Sequence, residues 1–171
     1  IVNRLVFIVV MIVMGLNQGM QPIAGYNFGA TLYGRVNKVL RLTIIYATAV
    51  TTFGFLVGML VPDLVVGIFT SDAELTELSV TGLRITVMFF PIIGFQMVTS
   101  NFFQSIGMAG KAIFLSLTRQ MLILLPCLLV LPQFFGVAGV WYSMPVSDLL
   151  ASLIALVMLV CQFRKFRTSP L

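Results

Sequence analysis

The stretch Gly15–Ala30, GLNQGMQPIAGYNFGA, decides how the rest of the chain is read. It begins inside an apolar run and ends just before three basic residues, Arg35, Lys38 and Arg41. Asn17, Gln18 and Gln21 put amides where a helix surrounded by hydrocarbon would carry none, and such a group is costly unless it finds a partner or water. Pro22 removes one donor and frees the carbonyl four residues back, that of Gln18. A glycine-rich exit follows, Gly25-Tyr26-Asn27-Phe28-Gly29. These residues predict a broken, polar helix end that faces protein or a water-filled cavity. That favours a transporter over an inert anchor.

Composition sets the surroundings. The 171 residues are 60% hydrophobic and only 9% charged, where a soluble domain carries about 25% charged residues. With a mean hydropathy of +1.11, a soluble globule is excluded and several membrane spans are implied. We place five, at about residues 2–24, 40–61, 83–106, 113–131 and 137–163, in an all-α integral membrane fold. No Met-initiated basic region precedes Ile1, so the chain has no signal-peptide layout and reads as truncated at its N-terminus. Cys127 and Cys161 lie in apolar runs without a nearby His or second Cys, which predicts free, packed thiols and neither a disulfide nor a metal site.

The connections carry the charge. Four of the five acids, Asp63, Asp72, Glu74 and Glu77, fall between the second and third spans. There Ser71-Asp72-Ala73-Glu74 reads as a capping box, with Ser71 as the cap. Arg35, Lys38, Arg41, Lys111, Arg164, Lys165 and Arg167 gather on the opposite face of a five-span arrangement. The positive-inside rule puts that face, and with it the C-terminus, in the cytoplasm. Trp141 and Tyr142 then fall at the outer interface as belt residues. Gly15/Gly19, Gly25/Gly29 and Gly54/Gly58 are small-residue pairs that let helices approach closely.

Several polar groups lie inside the spans. Gln96, Ser100 and Gln104 recur every fourth residue and share one helix face, flanked by Thr99 and Asn101; Asn17 and Gln21 form a similar stripe on the first span. Both stripes can line a substrate cavity or simply bond to neighbouring helices. Asp148 is the only acid well inside a span, and Arg119 is its natural partner by depth. The two can form an ion-coupling site or a structural ion pair. Pro22, Gly25, Pro91, Pro126 and Pro145 are hinge candidates, or passive kinks. No grouped His, Cys or carboxylates suggest an enzyme or a metal site, and no phosphate-binding loop suggests ATP-driven transport. Energy for transport would come from an ion gradient, with no cofactor and no nucleic-acid partner.

GLNQGMQPIAGYNFGA with its basic loop, SNFFQSIGMAGKAIFLSLTRQ (Ser100–Gln120) and GVAGVWYSMPVSDLLA (Gly136–Ala151) occur in that order. Together they resemble the C-terminal half of the multidrug and toxic compound extrusion (MATE) family, most closely its bacterial drug exporters. The resemblance covers nearly the entire chain. It implies spans eight to twelve of twelve, part of the C-terminal six-helix bundle, in a multi-pass protein of the cell (inner) membrane. It also implies exchange of H⁺ or Na⁺ for organic cations and other drugs by alternating access, with the N-terminal bundle and the seventh span absent. Some members have an acid on the tenth span. This chain offers Gln96, Asn101 and Gln104 there, so no cation-site acid is carried over. Two other readings stand beside this one: a lipid or oligosaccharide flippase of the same superfamily, and a truncated membrane protein that transports nothing.

Overall fold

The structure, a computed structural model, describes residues 2–168; Ile1 and residues 169–171 lie outside it, as do the side chains of Leu5, Arg167 and Thr168. The described residues form helices throughout: α1 (Val2–Gly29), α2 (Tyr33–Leu60), a short α3 (Pro62–Gly67), α4 (Ala73–Val87), α5 (Phe90–Ser105), α6 (Ala109–Leu117), a π-helical segment (Thr118–Leu124), α7 (Leu125–Phe135) and α8 (Val137–Thr168). Four stretches are long and apolar enough to cross a bilayer: α1, α2, the continuous run Ala109–Phe135, and α8. The pair α4 and α5, bent by 52° at a short break, makes a fifth when taken as one span.

Helix α5 is the hub, packing on α1, α2, α6 and α8. Two apolar clusters hold the bundle. One, nearer the basic end, joins Val13, Met20, Leu40, Val98, Phe102, Phe103, Leu115 and Leu159. The other, at the acidic end, joins Val2, Val66, Leu83, Val87 and Phe90. At the basic end the rings of Phe28 and Tyr33 meet that of Phe166, with Tyr33 and Phe166 stacked at 4.8 Å. Lys111 donates to Gln162 Oε1 and lies 5.2 Å from the centroid of the Phe103 ring. The ends of α2, α6 and α8 that carry basic residues thus lie on one side of the bundle, beside the C-terminal end of α1.

Glycine decides how closely these helices meet. A methyl group at Gly54 would lie 2.9 Å from Val9, one at Gly58 3.0 Å from Val87, and one at Gly94 3.0 Å from the Ala47 carbonyl and 2.7 Å from Thr51 Oγ1. Of the three pairs the sequence suggested, Gly54/Gly58 is the one in which both glycines meet another helix, since Gly25 meets Ser105 but Gly29 meets nothing within 4 Å. Gly15 and Gly19 have the same spacing but nothing within 4 Å of a built Cβ. Thr43 and Thr51 return their hydroxyls to the carbonyls of Val39 and Ala47, which lets polar residues sit inside α2.

Several local expectations are corrected. Helix α1 is unbroken through Pro22 and Gly25 to Gly29. Contacts on both sides of the proline hold it on α5: Gln21 bonds to Asn101, and Gly25 lies against the backbone of Ser105. The turn after it is short, passing through Thr31 at φ 58°, and α2 already begins at Tyr33. Arg35 and Lys38, expected in a loop before the second span, therefore lie on the helix together with Arg41. The fourth span, expected to stop at residue 131, continues through Pro132 as α7 to Phe135 and stops at Gly136, whose φ of 61° suits a residue without a side chain. The ring of Trp141 packs over Gly82, and Tyr142 is exposed. Cys161 is exposed, and only Cys127 is partly packed.

The cap of α4 is Asp72 and not Ser71. Its Oδ1 accepts from Glu74 N at 3.0 Å and Leu75 N at 3.4 Å. A carboxylate one residue nearer the helix competes better for those amides, because its charge also complements the positive helix end. Asp72→Ala should lower stability by about 1 kcal/mol, and Ser71→Ala should leave it unchanged. Thermal unfolding of the two variants checks this, and equal losses would reassign the cap.

Candidate functional site

The polar residues of α5 are placed by its parallel packing on α1. Gln21 Nε2 donates to Asn101 Oδ1 at 3.1 Å, an offset of 80 residues. The Gly25–Ser105 contact keeps the same offset, which sets Asn17 level with Met97, next to Gln96. Asn101 uses its own Nδ2 on the Met97 carbonyl at 2.9 Å. Its amide is thus fixed from both ends, and neither Gln21 nor Asn101 can rotate without breaking a bond.

On the neighbouring antiparallel helix, Ser116 Oγ lies 3.4 Å from Ser100 Oγ. The π-helical segment begins two residues later, at Thr118. Its cause is Pro126, which has no N–H for the Leu122 carbonyl and whose ring crowds the preceding turn; wider i→i+5 winding relieves both. The wide turn carries Arg119. Its Nε donates to Asp148 Oδ1 at 2.7 Å and its Nη2 forms an ion pair with the same oxygen at 2.7 Å, which joins the π segment to α8. The Asp148 side chain is only 6% exposed while that of Arg119 is 37% exposed. Counting from Ala109 and Val137, where their helices begin at opposite ends of the bundle, each residue lies ~15–17 Å along its helix at ~1.5 Å per residue. That is half of the ~30 Å hydrocarbon thickness.

Gln96, Ser100, Asn101, Ser116, Arg119 and Gln120 line a small open pocket of about 160 Å³. The structure therefore brings three of the proposed cavity residues together with Arg119. Gln21 stands behind them, holding Asn101. Asn17 and Gln104 do not line the pocket. Asn17 is 2% exposed inside the bundle, and neither of its side-chain polar atoms has a partner among the described residues. Gln104 is exposed. Among the described residues Gln96, 4% exposed, has no partner for its Oε1, and the buried Thr118 Oγ1 has none either. Ser116 and Gln120 were missed by sequence reasoning, although Ser116 lies three residues before Arg119 and four before Gln120, spacings that share a helix face.

The prolines divide by environment. Pro91 sits in the first turn of α5, just after the break at Met88–Phe89 where the 52° bend lies. Pro126 follows the π turn. Pro22 and Pro145 sit inside continuous helices, Pro22 exposed and Pro145 buried. Beside Gly25, which has a packing contact, Pro91 and Pro126 are the positions where helical geometry is visibly altered.

Apolar helices of spanning length, with a polar pocket and an ion pair at mid-depth, define a polytopic helical membrane protein. Comparisons with known proteins narrow the class. The family model described as MatE matches residues 1–129. Multidrug export protein MepA of Staphylococcus aureus (strain MSSA476) is 27% identical over 153 residues, covering 90% of this chain and 34% of that protein. The MepA of Staphylococcus saprophyticus subsp. saprophyticus is 23% identical over the same coverage. Among solved structures, the MATE multidrug transporter DinF-BH superposes with a TM-score of 0.89 at 36% identity, covering 98% of this chain and 38% of that one. An inward-facing MATE family transporter superposes with a TM-score of 0.89 at 19% identity and shares the fold. The chain belongs to the MatE family of MATE transporters. It spans about a third of the length of the curated relatives it matches.

Proposed function

We propose that this chain is the C-terminal part, spans eight to twelve, of a secondary active multidrug exporter. In this reading the exporter exchanges organic cations and other drugs for H⁺ or Na⁺ by alternating access, and its C-terminus is cytoplasmic. The observation that carries the reading is the likeness to multidrug exporters over 90% of the chain. The mid-depth polar pocket supports it. At about 160 Å³ that pocket is smaller than the ~300–1,000 Å³ of sites that enclose a drug-sized ligand. It serves as one wall of a larger cavity completed by the N-terminal bundle. Neutral amides and hydroxyls there suit varied ligands, because each can donate or accept as the ligand requires.

In this reading Gln96, Ser100 and Asn101 contact substrate, and Arg119–Asp148 is a strut between α8 and the π turn. The strut also bears on the flippase alternative. A groove for anionic headgroups needs uncompensated cationic charge at depth, and Asp148 already engages Arg119.

The test is fluorescence polarisation of a cationic rhodamine dye with the purified intact protein that contains this segment. Saturable binding, weakened at least tenfold by Ser100→Trp with the fold retained, is the expected result. Absence of saturable binding to the wild type would overturn the reading.

A further inference from the structure

The polar pocket holds two kinds of hydrogen-bonding group. The hydroxyls of Ser100 and Ser116 lie 3.4 Å apart and either can be the donor, so each turns to suit what it meets. Asn101 has no such freedom. Its Nδ2 donates to the Met97 carbonyl at 2.9 Å, and its Oδ1 accepts from Gln21 Nε2 at 3.1 Å. A carbonyl can only accept, so the Met97 bond decides which end of the Asn101 amide is nitrogen. Gln21 then has to offer its own NH₂ to the Asn101 oxygen. Turned over, Asn101 would set its oxygen against the Met97 carbonyl and its nitrogen against the Gln21 nitrogen, and both bonds would be lost.

Asn101, on α5, lines the pocket, while Gln21, on α1, does not. The two helices are held together at this level. One turn beyond Gln21, a Cβ on Gly25 would lie 2.9 Å from the Ser105 carbonyl oxygen. Beyond its two bonds Asn101 keeps one N–H and one oxygen lone pair, and both have fixed directions. A polar group held rigidly discriminates between a ligand that matches it and one of the same shape that does not, because the mismatch leaves a polar group unpaired. A group free to turn accommodates both.

We propose that Gln21 is a positioning residue for selectivity. By holding the Asn101 amide in one orientation, it makes the pocket distinguish cations that carry N–H groups from cations of the same shape that lack them. The inference rests on the reading of this pocket as one wall of the drug cavity, and it adds that part of the selectivity is set from behind that wall.

Fluorescence polarisation with the purified intact protein tests it, using two cationic rhodamine dyes, one with N–H on its xanthene nitrogens and one fully N-alkylated. The readout is the ratio of their Kd values, in which effects common to both dyes cancel. The wild type should separate the dyes about fivefold, the ordinary net worth of one hydrogen bond. Gln21→Met, which has no donor, should bring the ratio to unity, and Gln21→His, which keeps a ring N–H, should preserve it. Asn101→Ala should also bring the ratio to unity, and adding Gln21→Met to it should change nothing further. A Gln21→Met protein that binds both dyes more weakly at an unchanged ratio would mean a structural role and would overturn the inference. Equal loss in Gln21→Met and Gln21→His would overturn it as well. So would discrimination that survives in Asn101→Ala, a result that stands even if Gln21→Met does not fold. A wild type that binds both dyes equally would overturn this inference alone; a wild type that binds neither would overturn the proposed function and this inference with it.

Discussion

Arg119→Met, with Asp148 left in place, is expected to destabilise the protein far more than Asp148→Asn with Arg119 left in place. The reason is the unequal exposure of the two partners. Asp148, with its side chain 6% exposed, depends on Arg119, whose two nitrogens reach the same oxygen at 2.7 Å. Without the guanidinium the carboxylate is stranded at mid-depth, and breaking a buried pair from one side costs about 3–5 kcal/mol. Arg119, at 37% exposure, can hydrate its head in the open pocket when Asp148 is neutralised, so Asp148→Asn should cost about 1 kcal/mol. The double variant Arg119→Met/Asp148→Asn should recover most of the larger loss, because no buried charge then lacks a partner. Thermal unfolding of the purified intact protein measures all three. Equal losses in the two single variants, or no recovery in the double, would contradict the strut.

Gly139→Ala should be the most damaging single-methyl addition in the chain. Gly139 sits where α7 and α8 cross, after the tight turn at Gly136. A Cβ there would lie 2.5 Å from the carbonyl carbon of Leu131 and 2.6 Å from the nitrogen of Pro132. Both are backbone atoms, so no side chain can turn aside, as Trp141 could for a methyl on Gly82. Overpacking commonly costs about 1–3 kcal/mol and sometimes more, and the rigid obstacle puts this site at the upper end. Gly15→Ala, with nothing within 4 Å, is the control and should be neutral in stability. Membrane abundance and melting temperature distinguish them. A stable Gly139→Ala would show that the hairpin can open at no cost.

Much of this architecture was legible because the bilayer imposes simple rules. Span length and charge alternation follow from hydrocarbon thickness and loop chemistry, so the basic and acidic ends could be assigned from Arg35, Lys111 and Arg164 against Asp63, Asp72 and Glu74. The pairing of Arg119 with Asp148 followed from depth alone. Lateral contacts were harder to read. Gly54/Gly58 and Gly15/Gly19 have identical spacing, yet only the first pair meets another helix; small residues permit approach, and the partner decides whether it happens. Pro22 looked like a break, but Gln21–Asn101 and Gly25–Ser105 hold α1 continuous across it. The π turn was invisible because it arises from Pro126 acting on the turn before it, and periodicity there still reads as helix. Asn17 looked like a twin of Gln21, but its place on the helix turns it into the bundle and not toward the pocket.

The measurement that tests the account most directly is efflux of a cationic dye from pump-deficient bacteria expressing the full-length reading frame that contains this segment. Efflux should appear with expression and collapse when ionophores dissipate the H⁺ and Na⁺ gradients. Asp148→Asn, at equal membrane abundance, should retain it if the Arg119–Asp148 pair is a strut. Efflux lost in that variant would make Asp148 a coupling residue. No efflux from the intact frame, or efflux indifferent to both gradients, would contradict an ion-driven multidrug exporter.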